Sequence, residues 1–492
     1  MERLHDACGI VGIYLQEHNE NIDVRNYLTL ALTALQHRGQ ESAGIAVYDG
    51  EGKIAHKVGM GKVREVFADS GAGLPSTCCG IGHVRYSTTG SSCVENAGPF
   101  VVGTYHSHPG AIAVAHNGNL VNGDSLREQF APGLLNSTTD SEAIALLLLL
   151  AEGETLRERL VETISLLQGA YSLVILSEGK LFAMRDPWGL RPLCLGQLGE
   201  SWMVASESCA LDRVGATFVR EIEPGELVTI DQKGLHSEIL LREARHALCV
   251  FEYIYFSDAT SRLNNRYVYE VREQLGRELA KEYPVEADLV IPVPDSSIPA
   301  ALGYAAASNI PYGHAIIKNR YADRTFIKPD QRLRQLEVDL KFNFVKPKID
   351  GKRLVIVDDS IVRGNTMKRL VAALRHQGAK EIHLRSSSPP LRHPCYFGID
   401  IPRQEELIAA GRSVQEIADY IGVDSLGYLS LAGLGKALRA VKDSGDFDND
   451  AALTSLHAEC CYGCMQTVGW PFDPSKPQLL TLKRNEKLLR VS

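Results

Sequence analysis

Three groups of residues in this 492-residue chain have the types and spacing to do chemistry. The first is built on Cys8, which opens the strand-like run CGIVGI near the start of the chain. A cysteine there reads two ways: as a thiol buried in a strand, since free cysteine is among the most buried residue types, or as a nucleophile. A thiol acting on an amino-acid amide needs an oxyanion pocket and charges for the substrate's carboxylate and ammonium. Four polar turns could supply them: QHRGQESAG (36–44) with Arg38, Gly39 and Gln40; GHVRYST (82–88) with Arg85; HNGNL (116–120) with Asn117 and Gly118; and TTDSE (138–142) with Asp140 at a helix start.

The second group is RLVIVDDSIVRGNT (353–366). An apolar strand runs into Asp358 and Asp359, then into a hydroxyl- and glycine-containing loop with a helix starting near Thr366. Ligands of open α/β sheets bind at the carboxyl ends of strands, loop N–H groups and a helix N-terminus favour a phosphate, and paired carboxylates suit neighbouring sugar hydroxyls. No Lys-Ser or Lys-Thr follows the glycine, so this is not a Walker loop. The bland alternative is an acidic strand end capping a helix. The third group is cysteine. Cys461 and Cys464 form a C-x₂-C pair beside Cys460, with Cys249 and Cys395 as candidate partners. Spacing leaves structural zinc, an iron–sulfur cluster, a redox pair and ordinary buried thiols all open.

The chain is long enough for two or three hydrophobic cores. It is 45% apolar and 23% charged, the balance of a globular protein. A formal charge of −8 gives nucleic acid no global attraction. The start, MERLHDACGI, has neither a secretory apolar region nor the arginines of a transit peptide. AIALLLLL (143–150) is too short to span a bilayer and reads as a buried helix. A cytoplasmic enzyme with reduced cysteines is expected, and Cys78, Cys79, Cys93, Cys194 and Cys209, in strand-like runs, read as core. Short apolar runs separated by Gly, Asn and Ser between Gly9 and about 235, with helices at 24–36, 141–152 and 155–167, predict an α+β domain of antiparallel sheets layered with helices. Past residue 260 strands alternate with amphipathic helices, which predicts an α/β domain with a parallel sheet. HAIIKNR reads as one of its strands, about 404–441 as a helical tail and KDSGDFDND (442–450) as an exposed linker.

CGIVGI, LQHRGQESAGI, GHVRYST, AHNGNL, TTDSE and RDPWGLRPL (185–193) together resemble the glutaminase domain of the N-terminal-nucleophile amidotransferases. The resemblance implies that residues 1–7 are a propeptide, that the freed α-amine of Cys8 is its general base, that Asn117 and Gly118 form the oxyanion hole, and that Arg85 and Asp140 hold glutamine. An α-amine, with a pKa near 8, suits that role. The 353–366 segment resembles the phosphoribosylpyrophosphate (PRPP) motif of type I phosphoribosyltransferases. That implies Asp358 and Asp359 on the ribose; Ser360 as PRPP-binding; residues 361–366, with Arg363, Gly364, Asn365 and Thr366, around the 5-phosphate; Asp295 and Ser296 of VPDS in a pyrophosphate loop; Lys318, Arg320 and Arg324 on a closing loop; and Mg²⁺ near Ser296, Asp358 and Asp359. Two departures stand out: Asn365 where a hydroxyl is common, and Ser297 where glycine is.

The two halves together resemble the iron–sulfur branch of the glutamine-dependent PRPP amidotransferases. The resemblance implies residues 8–240 as glutaminase, 241–440 as phosphoribosyltransferase and 441–492 as an extension carrying cluster cysteines. It implies a structural [4Fe–4S] cluster on Cys249, Cys395, Cys461 and Cys464, with Cys460 as a competitor for Cys461. It further implies ammonia passed internally to PRPP, a homo-tetramer, and inhibition by purine nucleotides such as AMP, GMP and ADP. The rivals are an amidotransferase making glucosamine 6-phosphate, which would carry sugar-isomerase domains, and a non-catalytic PRPP- or nucleotide-binding regulator.

Overall fold

The computed structural model describes residues 8–16, 23–68, 73–86, 92–103, 110–243, 245–319, 342–400, 403–442 and 448–476. The first half is two antiparallel sheets stacked face to face. One has seven strands, with Gly9–Tyr14 at its centre between Ser201–Ala205 and Cys79–Arg85. The other has six, with Gly169–Ser177 between Lys180–Arg185 and Ile112–Leu120. Ile10, Ile81, Ala113, Ala115, Val174 and Leu176 fill the space between them. Helix Val24–Ala34, whose N-terminus is capped by Asp23, covers the outer face of the first sheet. Helix Asp140–Leu150 covers the second and is covered in turn by Leu156–Ile164. A helix sandwiched this way is apolar on all sides, which accounts for the ALLLLL run without a membrane. No described helix is long and apolar enough to cross one.

The second half is built on four parallel strands in the order Leu289–Pro292, Arg353–Asp358, Glu381–Ser386 and Ser425–Tyr428. Helices Val268–Glu282 and Ile298–Ser308 pack on one face and Asn365–His376 and Val414–Ile421 on the other. Three local expectations are corrected. Ile316–Lys318 leaves the parallel sheet and pairs antiparallel with Phe342–Phe344. The tail from 404 is not continuously helical, because Ser425–Tyr428 is the fourth sheet strand between helices Val414–Ile421 and Leu431–Lys442. The expected linker 442–450 already contains a helix start: Asp448 accepts from Ala451 N (2.7 Å) and caps Asn449–Glu459. Its residues 443–447, like the propeptide 1–7 with its cleavage and the loop residues Arg320 and Arg324, lie outside the described residues.

The halves are joined by buried charge. Arg38 Nε donates to the Cys8 carbonyl (3.0 Å) while its guanidinium pairs with Glu207 (2.5 Å) and Glu252 (2.9 Å). Glu252, in a short wide-turn helix Glu252–Phe256, also accepts from Arg191 (3.2 Å) and Ser257 Oγ (2.6 Å). Arg191 in turn donates to the Phe397 carbonyl in the second half (3.1 Å). Burial alone would raise the Glu252 carboxyl, but Arg38 and Arg191 outweigh it and hold it below the usual range. A carboxyl held down adds stability that is present above its unfolded value, near 4.3, and is lost as pH falls through the folded value. Glu252→Ala should therefore destabilise the chain by about 3–5 kcal/mol, because it takes a buried carboxylate from Arg191 and leaves Arg38 to share only Glu207. Urea unfolding at neutral pH checks this; cutting the exposed Arg157–Glu238 pair should hardly move the same curve, and the Glu252 contribution should vanish in acid.

Candidate functional site

Cys8 immediately precedes the central strand of the first sheet, with its side chain nearly buried. Because Gly9 lies opposite Val84 in the antiparallel register, Cys8 comes beside the end of the strand carrying Arg85. Arg85 is buried and 3.6 Å from Glu41. The facing sheet contributes Asn117 and Gly118 from Ile112–Leu120. Asn117 is fully buried, and among the described residues neither end of its amide has a hydrogen-bond partner. Buried amides are nearly always paired, so such a donor points to a missing acceptor. Asp140 is held by the Leu120 N–H (2.9 Å) and lies 3.6 Å from His116 Nδ1. Burial pushes its carboxyl up, but His116 and these donors overcome that and keep it below the ordinary range, so it is ionised at neutral pH. His83, buried between Arg85 and His116, is pushed down to about 3 by desolvation and then by those neighbours, and stays neutral.

In the second half Asp358 ends its strand and Gly364, at φ +78°, turns the chain into helix Asn365–His376. Val293, Asp358, Asp359, Ser360, Arg363, Gly364 and Thr366 line one cavity under that helix's N-terminus. Hydroxyls orient both acids: Ser296 Oγ donates to Asp359 (2.5 Å), Ser360 Oγ to Asp359 (2.9 Å), and Ser297 Oγ to Asp358 (3.3 Å). Ser297, the first of the two departures, thus fixes an acid. Asn365, the second, accepts from Tyr420 Oη (2.7 Å). Arg363 is turned to Glu406 (2.8 Å). Lys318 pairs with Asp295 (2.9 Å), both well exposed.

Cys249, Cys395, Cys461 and Cys464 line a single cavity with Arg191, Phe397 and Trp470. The chain's far end reaches them by a two-residue parallel pairing of Leu248–Cys249 with Cys460–Cys461. Burial raises the thiols of Cys249, Cys461 (to about 12) and Cys464, and their proximity to one another adds to it. The Phe397 N–H donates to Cys395 Sγ (3.3 Å). Cys460 lies outside this cavity, beside Glu459 and Arg266. Among the described residues no three His, Cys, Asp or Glu side chains converge as ligands of a single metal ion. No cysteine forms a disulfide; Cys79 and Cys194 are core as expected, but Cys78, Cys93 and Cys209 are only half buried.

Sequence reading missed Glu41, His116, Glu207 and Glu252. A lone acid inside the apolar run ALCVFEYIYF (247–256) was the available signal for Glu252. Residues 99–213 match the family described as a glutamine amidotransferase domain, and 261–387 that described as a phosphoribosyl transferase domain. The chain is 45% identical over 437 residues to the amidophosphoribosyltransferase of Bacillus subtilis (strain 168), covering 88% of this chain and 90% of that one. It is 48% identical over 439 residues to that of Archaeoglobus fulgidus, covering 88% and 94%. The solved glutamine PRPP amidotransferase from B. subtilis, complexed with ADP and GMP, superposes with a TM-score of 0.84 at 42% identity, covering 94% of this chain and 96% of that one. On the expected contact of Asn365 with the 5-phosphate, Tyr420→Phe, which removes one hydrogen bond to the Asn365 amide at a cost of about 1 kcal/mol, should raise the half-saturating PRPP concentration about fivefold; initial rates against PRPP measure it.

Proposed function

We propose a division of labour between the two sites from the premise that this chain belongs to the amidophosphoribosyltransferase family. Its reaction is the transfer of the glutamine amide nitrogen to PRPP, giving 5-phosphoribosylamine. In our reading Cys8, exposed as a new N-terminus once residues 1–7 are removed, attacks the side-chain carbonyl of glutamine, its own α-amine taking the thiol proton. Cleavage would also release the peptide that holds Cys8 at φ +41°. The oxyanion is received by the Asn117 amide and the Gly118 N–H, while Arg85 and Asp140 hold the substrate's carboxylate and ammonium. The observation that carries this half is the buried Asn117 amide without a described partner. Ammonia leaves, water hydrolyses the γ-glutamyl thioester to glutamate, and ammonia passes inside the protein to the second site. There it displaces pyrophosphate from C1 of PRPP. Seclusion matters because water would compete for the same carbon and would protonate the amine.

Asp358 and Asp359 hold the ribose hydroxyls in this reading, and the 360–366 loop holds the 5-phosphate. Asp295 and Ser296 stand by the pyrophosphate, with Lys318, Arg320 and Arg324 on the closing loop. Two carboxylates with the Ser296 hydroxyl fit Mg²⁺, which usually binds one or two carboxylates plus substrate phosphates; bound there, it would neutralise charge on the leaving pyrophosphate.

The four cysteines of the shared cavity fit a [4Fe–4S] cluster. Burial raises the thiols of Cys249, Cys461 and Cys464, so thiolates there call for a compensating cation, and the Phe397 N–H already faces the Cys395 sulfur. Such a cluster would be structural, since neither half-reaction moves electrons. The solved relatives described as complexed with ADP and GMP, and as the allosteric regulatory enzyme of purine biosynthesis, support inhibition by purine nucleotides at entry to purine synthesis; the cytoplasmic homo-tetramer is carried into this reading by the family resemblance alone.

Three measurements test these readings. Cys8→Ala should abolish glutamine-dependent pyrophosphate release yet keep release driven by ammonium chloride; loss of both, or of neither, would refute the division of labour. Active enzyme whose intact mass still includes residues 1–7 would refute the processed nucleophile. Anaerobically purified protein should be brown and iron-bearing, Cys461→Ser should lose the iron and Cys460→Ser should keep it; colourless, iron-free wild type would end the cluster assignment.

A further inference from the structure

The amide-hydrolysis site is finished by a turn from the other half of the chain. Asn119 Nδ2 donates to the Tyr396 carbonyl (2.9 Å), and Arg191 to the Phe397 carbonyl (3.1 Å). Gly398 lies directly on Gly118: a Cβ at 398 would stand 3.0 Å from the Gly118 carbonyl carbon, 3.1 Å from its oxygen and 3.2 Å from an Arg191 nitrogen. Its φ of +98° disfavours any side chain there. On its other side Gly118 is clamped as tightly, since a Cβ would meet the Ala170 carbonyl oxygen at 2.1 Å. The backbone at 118 is therefore held between the neighbouring strand and the 396–398 turn. At its far end the segment bearing this turn is anchored to the ribose-binding loop, where Ser387 N donates to the Asp358 carbonyl (2.9 Å).

We propose that the turn Tyr396–Gly398 is a positioning element of the glutaminase, fixing the Asn117–Asn119 backbone from the phosphoribosyltransferase side, and that position 398 must be glycine for this. The proposal rests on the oxyanion assignment of Asn117 and Gly118. In this reading Tyr396 and Gly398 stand outside the substrate-holding set of Cys8, Arg85, Asn117, Gly118 and Asp140, and what they meet is Asn119 and Gly118. They act through the strand they press, so the effect belongs to the chemical step of amide hydrolysis and not to glutamine capture by Arg85 and Asp140. An oxyanion donor displaced by a fraction of an ångström forfeits much of its 10²- to 10³-fold contribution.

The test compares Gly398→Ala and Asn119→Ala with wild type in full-length protein, using pyrophosphate release from PRPP driven by glutamine and, separately, by ammonium chloride. The expected result is a fall of about tenfold or more in glutamine-dependent kcat, with the KM for glutamine changed by less than about threefold and the ammonia-driven rate within about twofold of wild type. Wild-type glutamine turnover in both variants overturns the proposal, as does parallel loss of both rates in both. If Gly398→Ala alone loses both rates, Asn119→Ala decides: selective loss supports the role and normal turnover overturns it. Asn117→Ala separates the premises. Full glutamine turnover there unseats the oxyanion assignment itself, whereas loss there with normal Gly398→Ala and Asn119→Ala unseats only the positioning role.

Discussion

A carboxylate shared between two guanidiniums, all three out of contact with water, is the constraint on which the arrangement of both sites rests. Glu252 cannot be moved without taking a buried carboxylate from both Arg38 and Arg191, and undercompensated charge in a protein interior is among the costliest defects a fold can carry. Arg38 holds the carbonyl of the proposed nucleophile and Arg191 the carbonyl of Phe397. The pair of ion pairs therefore sets the distance between the start of the first sheet and a loop of the second half. Ion pairs of this kind contribute little net stability over apolar packing, but they are intolerant of alternatives. That makes them suited to fixing register between two separately cored halves.

The two sites differ in how their polar groups are satisfied. Around Asp358 and Asp359 each acid is already met by a serine hydroxyl, from the next residue or from the neighbouring strand's end. Such short, rotatable donors leave the remaining carboxylate lone pairs for a ligand. Around Cys8 the polar groups are deep and rigid, and the Asn117 amide is left without a described partner in a layer between sheets. One site is prepared by small hydroxyls from two adjacent strand ends and the other by packing between sheets.

That difference also decides what could be read from the chain. Asp358, Asp359 and their loop were legible because strand, acids, glycine and helix start follow one another within fourteen residues. The antiparallel and parallel halves were legible from period and spacing. The partners of Arg38 were not, since Glu207 and Glu252 lie 169 and 214 residues away and no local pattern encodes such a meeting. Ser425–Tyr428 was hidden because four residues between two helical stretches carry too little periodicity to declare a strand. Ile316–Lys318 looked like a sheet strand, but its pairing partner at 342–344 lies across a long intervening segment. Spacing left Cys460 and Cys461 as rivals; in the fold Cys461 lines the cavity and Cys460 does not, as successive side chains of a strand point to opposite faces.

The two-residue pairing of Leu248–Cys249 with Cys460–Cys461 carries a consequence for biogenesis. Chains emerge N-terminus first, and domains fold as units while synthesis proceeds. The first half and the parallel sheet can each close on their own cores before residue 460 leaves the ribosome. The seam cannot, because half of its cysteines and the Arg245 anchor points at Cys460, Gly469 and Trp470 are made after both sheets. Closure of the cavity therefore waits on the 460–470 stretch: a polypeptide that stops short of it cannot bring both halves together there.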